Sequence, residues 1–434
     1  MTNKKSYLII SIILVLLLCI AQVLGSTVLI LPCLVVFLVL IGLSCSDNYT
    51  LPVLLFFLPW SPILKISPTG HSFFTFGLVL ICAISIIKKR FRFKKYPIVS
   101  GIVLVFLSLL SKVIDGYSLS FDYIAFMMLI VLFPVIKGES TVKKYDFYQL
   151  VAFFSLGITM AAFAALLLES FPNIARYIQV ASYSTITRRS GFYGDSNFYT
   201  AQITAAIGGC LVMILKEHKR GRIVFLGIVT VLLLYCGFLS GSKSFVIVAA
   251  CVIALWFIEV LRMRGRTSLK ITLLVGAGLI TVFIATSALF GDLIEVMLTR
   301  FSYSSDLESF TTGRTELWKN YLEEILGNAK IFFLGKGFTN VKVAGRASHN
   351  TLIQCVFQFG FLGVPVLAYW VISFFGGTSL RRLRRHRTVL EGLMVLIGTF
   401  TPWMAIDALF FDEFFLLQWY VFSALQQLQY EDEA

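Results

Sequence analysis

Charge is what this chain has least of: Asp, Glu, Lys and Arg together make up 14% of its 434 residues, and only 23 are acidic. An ordinary soluble domain carries about a quarter of its residues as charges, so the composition excludes a water-facing surface over most of the molecule. Proline is also sparse, with ten residues, and no Pro-, Gly- or Ser-rich tract marks a linker or a low-complexity segment. The eight cysteines (Cys19, Cys33, Cys45, Cys82, Cys210, Cys236, Cys251 and Cys355) lie in or beside apolar runs, none of them in a long polar loop. That placement argues against a disulfide framework and against a cysteine metal site. No soluble domain and no short-period repeat is visible.

What the sequence has instead is apolar length. Hydrophobic residues make up 58% of the chain, gathered in runs of roughly 17 to 22, each long enough to span a hydrocarbon core of about 30 Å as a helix. Uniformly apolar runs of this length satisfy their backbone internally as helices, not as alternating barrel strands. The expected fold is therefore all-α and polytopic, with about fourteen transmembrane helices (12–14) at 7–24, 27–44, 50–65, 72–88, 97–113, 121–137, 147–168, 197–215, 223–240, 243–261, 268–289, 352–376, 388–405 and 410–427. The third is the weakest, because Pro52, Pro59 and Pro62 would kink it. A basic start followed by an apolar run resembles a signal peptide, but no small-residue cleavage site precedes the second run, so the first segment reads as a signal anchor.

Basic residues orient the bundle. With the N-terminus in the cytoplasm, most of the 37 Lys and Arg fall in cytoplasmic loops, in clusters such as 88–95, 216–222 and 381–387, while the short outer loops hold Lys65, Lys112 and Lys243. This is the positive-inside pattern, and it places both termini in the cytoplasm. The net charge of +14 follows from that topology and is no sign of nucleic-acid binding.

Two outer segments are too long for simple connections, and long loops are commonly functional. They divide the chain into N-terminal transmembrane helices (1–168), a first outer loop (169–196), central transmembrane helices (197–289), a long outer loop (290–350) and C-terminal transmembrane helices (351–434). Within the long loop, Trp318, Tyr321, Leu322, Ile325 and Leu326 recur at helical spacing, with Glu316, Lys319, Asn320, Glu323 and Glu324 opposite. This pattern predicts an amphipathic helix, ended by Gly327-Asn328, on the membrane interface or over a cavity mouth.

The residues able to carry chemistry lie in the same outer segments. The first loop closes in Thr187-Arg188-Arg189-Ser190-Gly191-Phe192-Tyr193-Gly194-Asp195-Ser196-Asn197, where guanidinium forks and glycine amides suit an anion; a solvated basic loop with turn glycines would read the same way. Lys243 sits in an outer turn, where a lysine also snorkels to headgroups. Arg314 opens the amphipathic helix, and Gly335 and Gly337 allow close backbone approach. His349 stands where a helix enters the membrane, and imidazole takes a proton near neutral pH. Asp306-Leu307-Glu308 has too few oxygens for a hard cation, and Asp407, Asp412 and Glu413 at the last outer turn read first as solvated helix-end acids.

Together these pieces resemble the O-antigen ligase and O-antigen polymerase family of bacterial membrane glycosyltransferases. The resemblance runs from about 188 to 363 and rests on Arg188-x-x-Gly191 with Asp195-Ser196-Asn197, Ser240-Gly241-Ser242-Lys243, Gly313-Arg314 with Trp318, Leu334-Gly335-x-Gly337-Phe338, and His349-Asn350 followed by Phe359-Gly360-x-x-Gly363. Where the family usually has proline and arginine, this chain has Ser196 and Lys243, and the second change keeps a cation but loses the bidentate fork. The resemblance implies metal-independent, cofactor-free, inverting glycosyl transfer from a polyprenyl-diphosphate-linked oligosaccharide at the extracytoplasmic face, polymerising repeats into O-antigen, capsule or exopolysaccharide. It implies His349, Arg314 and Arg188 as catalytic residues, Arg189, Lys243, Gly191, Asn197 and Asn350 as substrate-binding ones, and membrane lipid, a flippase and a chain-length regulator as partners. Ligation of a finished glycan to another acceptor uses the same chemistry, and a lipid-linked-glycan flippase is the competing class.

Overall fold

The computed structural model describes residues 4–88, 95–116, 121–136, 146–178, 180–183, 186–262, 302, 311, 313–338, 341–375, 378, 380–385 and 387–430. In chain order the elements are α1 (Lys4–Leu24), α2 (Thr27–Ser46), α3 (Thr50–Phe57), α4 (Phe73–Ile87), α5 (Lys95–Asp115), α6 (Phe121–Ile136), α7 (Phe147–Leu168), the single turn α8 (Pro172–Ala175), strands β1 (Val180–Tyr183) and β2 (Ile186–Arg189), α9 (Ser196–Lys216), α10 (Arg220–Leu239), α11 (Lys243–Arg262), α12 (Arg314–Gly327), α13 (Ala329–Leu334), α14 (Thr351–Phe374), α15 (Leu380–Arg385), α16 (Val389–Phe400) and α17 (Asp412–Tyr430). Eight of them, α1, α2, α5, α7, α9, α10, α11 and α14, are long and apolar enough to cross a membrane. Every expected span but the eleventh coincides with a helix. That one, 268–289, lies outside the described residues, as does Asp306-Leu307-Glu308.

The third run behaves as its prolines require. The α-helix stops at Phe57 and continues only as a 3-10 turn, Leu58–Trp60, because Pro59 has no N–H to extend the ladder. The fold is helical as expected, and the first long loop adds a short antiparallel hairpin with Val180 opposite Arg189 and Ala181 opposite Arg188.

Helix α9 forms the centre. Its span is 83% buried, against 33–61% for the other seven, and it packs on α7, α10, α11 and α16. Small residues make this possible. A Cβ at Gly208 would stand 2.9 Å from the carbonyl oxygen of Met394, and one at Gly398 would stand 2.7 Å from that of Thr204. The two backbones are thus close enough for the Thr204 hydroxyl to donate to the Gly398 carbonyl at 2.7 Å, the close small-residue packing that joins helices in lipid.

Helix α14 is broken at Gly360, where φ is 61° and ψ −176°. The segment after α13 fills the break: the amides of Lys336 and Gly337 donate to the carbonyls of Phe357 and Gln358 at 2.8 and 2.9 Å, and Ser111 donates to the Gly335 carbonyl at 2.8 Å. Carbonyls released inside an apolar bundle are thereby paired again, the condition for irregular backbone at that depth. Gly335 (φ 72°) and Gly360 face each other so closely that a Cβ on Gly360 would lie 2.5 Å from the Gly335 nitrogen. Gly360→Val is expected to lower thermal stability sharply, because the dihedral alone costs about 1–3 kcal/mol for an L-residue before the overlap is counted; an unchanged melting temperature in detergent would contradict this reading.

The amphipathic helix is present as α12, with its contact stripe displaced from the expected one. Leu317, Tyr321 and Ile325 are buried against α13 and α14, whereas Leu322 and Leu326 are exposed, at 48% and 71%. The Trp318 indole donates to the Ser348 carbonyl at 2.9 Å and the Tyr321 hydroxyl to that of Arg346 at 3.0 Å, so α12 is tied to the strand of chain that carries His349.

Candidate active site

Three helix starts meet at one end of the bundle. Asp195 caps α9, its Oδ1 accepting from the Asn197 amide at 2.6 Å, and Asn350 caps α14, accepting from the amides of Leu352 and Ile353 at 2.9 and 3.3 Å. Arg314 is the first residue of α12, after the left-handed Gly313 (φ 74°). Helix N-termini carry partial positive charge and unpaired amides, so their convergence favours an anion.

His349 stands among them. Its Nδ1 lies 4.0 Å from Asp195 Oδ2, and the imidazole is 29% exposed. Its backbone is left-handed, with φ 49°, a conformation costing a non-glycine residue roughly 1–2 kcal/mol. The flanking residues hold it there: Asp407 Oδ1 accepts from the Ser348 hydroxyl and, at 3.0 Å, from the Asn350 amide, and the Thr351 hydroxyl donates to the Ile406 carbonyl at 2.7 Å. Both sides of His349 are thus fastened to the loop before α17, leaving the ring directed toward Asp195.

The electrostatics couple four groups around this imidazole. Burial lowers the His349 pKa, Asp407 and Asp195 raise it, and Arg314 and Arg346 lower it again, so the net direction is down. Burial also draws the Arg314 guanidinium below its ordinary value, while Asp195 and Asp407 pull it back up; Arg314 stays charged regardless. It is half-buried and makes no hydrogen bond or ion pair among the described residues, so its fork is not committed to a protein acceptor there. Burial pushes the Tyr321 phenol up to about 12, which keeps it a donor to the Arg346 carbonyl.

The two adjacent arginines part company. Successive residues of a strand point to opposite faces, and β2 sends Arg188 to the α9 side and Arg189 to the other. Arg188 donates through Nε to the Ser240 carbonyl at 3.0 Å and through its other arm to the Ser196 hydroxyl, one residue from Asp195. Arg189 instead pairs with Glu169 at 3.1 Å, far along a different contact path. Asn197 accepts from the Ser242 hydroxyl at 2.9 Å, which fixes the turn leading to Lys243, itself half-buried at the start of α11. Gly191 (φ 58°) lies flat against the Tyr199 ring, where a Cβ would be 3.0 Å away. Arg188, Asn197 and Lys243 therefore stand beside the His349, Arg314 and Asp195 group and Asn350 caps α14 within it, whereas Arg189 and Gly191 share a separate small pocket with Glu169 and Tyr199.

A cleft of about 840 Å³ opens from this group. Its lining includes Asp195, His349 and Asp407, then aromatic walls at Tyr123, Phe192, Phe198 and Phe410, and polar residues from Ser61 to Thr75. Aromatic walls interleaved with this many polar groups suit a ligand that is itself both apolar and rich in hydrogen-bonding groups.

No protein-family model and no curated protein matches this chain.

Sequence reasoning did not place the acids. Asp407 and Glu413 were expected to be solvated helix-end groups, yet they are 8% and 3% exposed, and Asp412 accepts from the Thr75 hydroxyl at 2.9 Å. The partners of Asp407 lie 57 and 59 residues away, so nothing local announces it. Asp195 had a local signal that went unused, an acid one residue before a membrane helix, which is the ordinary N-cap pattern. The His71 ring, which also lines the cleft, packs on Phe121 with centroids 4.3 Å apart.

Proposed function

We propose that this chain is a membrane glycosyltransferase that joins polyprenyl-diphosphate-linked oligosaccharide repeats into a surface polysaccharide, working at the extracytoplasmic end of a bundle of about fourteen spans in a bacterial inner membrane. The observation that carries this reading is that His349 and Asp195 line a cleft with aromatic walls, with Arg314 near enough to interact electrostatically with both and Arg188 bonded to Ser196, the residue after Asp195. In the proposed reaction the acceptor hydroxyl oxygen attacks the anomeric carbon of the donor sugar. The bond from that carbon to the diphosphate oxygen breaks, its electron pair departs on the diphosphate, and the hydroxyl proton passes to His349. With Nδ1–H turned toward Asp195, Nε2 is the nitrogen free to accept that proton. Arg314 and the converging helix starts would then meet the charge developing on the leaving diphosphate.

The lowered pKa of His349 has a consequence for pH. A base is active when unprotonated, so the acid limb of the rate profile is expected to fall below the ordinary histidine value near 6.5. Asp195→Asn removes a charge that raises the pKa, and should move that limb to still lower pH. A limb at or above 6.5 in the wild type, or an upward shift in Asp195→Asn, would contradict the assignment of His349 as base.

One observation favours a second reading. A discontinuous helix is common in transporters, and α14 is broken at Gly360. Against a flippase, the carbonyls freed at that break are already bonded by Lys336 and Gly337. Purified protein given lipid-linked repeat as sole substrate is expected to yield a ladder of products. Elongation only after a second, different acceptor is added would replace polymerisation by ligation, and movement of intact lipid-linked glycan without any new bond would replace both by transport.

A further inference from the structure

We propose that the part of the cleft wall formed by Tyr193 and Glu413, backed by Gln202, is a saccharide subsite that seats the acceptor's terminal sugar, and that this sugar is neutral or amino-substituted and not a uronic acid. The inference rests on the glycosyl-transfer reading and adds the acceptor class to it.

Glu413 is 3% exposed and Gln202 1%. Gln202 Nε2 donates to Glu413 Oε1 at 3.1 Å and to the Tyr193 hydroxyl at 2.6 Å, and Tyr193 donates in turn to the Leu58 carbonyl at 2.8 Å. No described cation forms an ion pair with Glu413. A carboxyl buried without a cation does nothing for stability that an apolar group would not do better, yet Glu413 lines the cleft. Such a group is suited to accept from sugar hydroxyls, which supply donors without charge. The walls beside it are aromatic, including Phe192, Phe198 and Phe410, and give the apolar face of a sugar ring a surface to lie on.

Position and charge narrow the ligand. Tyr193 and Asp195 are two residues apart, so their Cα atoms are separated by at most about 7 Å. Glu413 and His349 line the same cleft, so a sugar held at Glu413 lies in the cavity that His349 faces, as an acceptor must. The end of a lipid-linked repeat remote from its diphosphate is the end with free hydroxyls to offer. At this end of the lining Asp412 and Glu413 are adjacent acids, and a further carboxylate beside them is disfavoured.

The probe comes from a strain lacking this protein: lipid-linked repeat that accumulates there is freed from its lipid by mild acid. Isothermal titration of this lipid-free repeat into the full-length protein in nanodiscs is expected to show saturable binding, weakened tenfold or more in Glu413→Gln with unchanged thermal unfolding. Composition analysis of the repeat is expected to show a neutral or amino sugar at its non-reducing end, a readout that stands even if Glu413→Gln fails to fold. Wild-type affinity in a folded Glu413→Gln, or a uronic acid at that end, would overturn the inference while leaving glycosyl transfer intact. A strain that accumulates no lipid-linked repeat would overturn the polymerase reading and this inference with it.

Discussion

His349→Gly is expected to leave a protein at least as stable as the wild type that makes no polymer. Two effects with opposite signs produce this result. The left-handed backbone at His349 costs a side-chain-bearing residue roughly 1–2 kcal/mol and costs glycine little, so the substitution relieves strain that the contacts of Asp407 with Ser348 and Asn350 impose. Removing the imidazole takes away the proton acceptor, and general-base catalysis contributes about 10²- to 10⁴-fold in rate. Strain kept where a side chain is needed for chemistry is the usual reason for such an outlier to persist. Thermal unfolding and product length, measured on the same preparation, check both halves. Loss of stability in step with loss of activity would make His349 a structural residue, and retained elongation would remove it from the mechanism.

Arg314→Ala is expected to lower the rate by about 10²- to 10³-fold, the usual cost of deleting one charge-stabilising donor at a transition state, with little change in melting temperature. The guanidinium is half-buried and drawn down by desolvation, and it has no described hydrogen-bond acceptor, so the fold loses little when it goes. Arg314→Lys retains the charge without the planar fork and should fall between the two. If the arginine acts on the departing diphosphate, kcat and kcat/KM drop together; a rise in KM with kcat intact would assign it to ground-state binding instead. A large fall in melting temperature would instead mean that Arg314 holds α12 in place.

Much of the bundle was legible because its signal is local. A run of apolar residues long enough to cross a bilayer has few alternatives to a helix, and α1, α2, α5, α7, α9, α10, α11 and α14 follow from length and composition alone. A disturbance in the third run was legible as a kink, since the missing N–H of Pro59 acts on its own helix, though the α-helix in fact stops at Phe57. The hairpin was not. Its strands have four residues each, and the intervening Ser184-Thr185 lacks the Asn-Gly or Asp-Gly signature that announces a two-residue turn. Missing the hairpin hid the separation of Arg188 from Arg189, which is a consequence of strand alternation. On α12 the periodicity was right and the face was offset, because exposure of Leu322 and Leu326 carries no penalty beside lipid and so does not fix which apolar residues turn inward. At the site, His349, Arg314 and Arg188 were named from sequence, whereas Asp407 and Glu413 gain their roles from Ser348, Asn350 and Gln202, whose proximity only the tertiary fold creates.

The central claim is that this chain breaks a sugar–diphosphate bond, and the fate of the polyprenyl diphosphate tests it most directly. Bilayer-reconstituted protein is incubated with purified lipid-linked repeat, and free polyprenyl diphosphate and new glycosidic bonds are counted together by mass spectrometry. The account predicts one polyprenyl diphosphate released for each bond formed, and neither product from His349→Gly. Lipid-linked repeat recovered intact, whichever side of the bilayer it ends on, would contradict it.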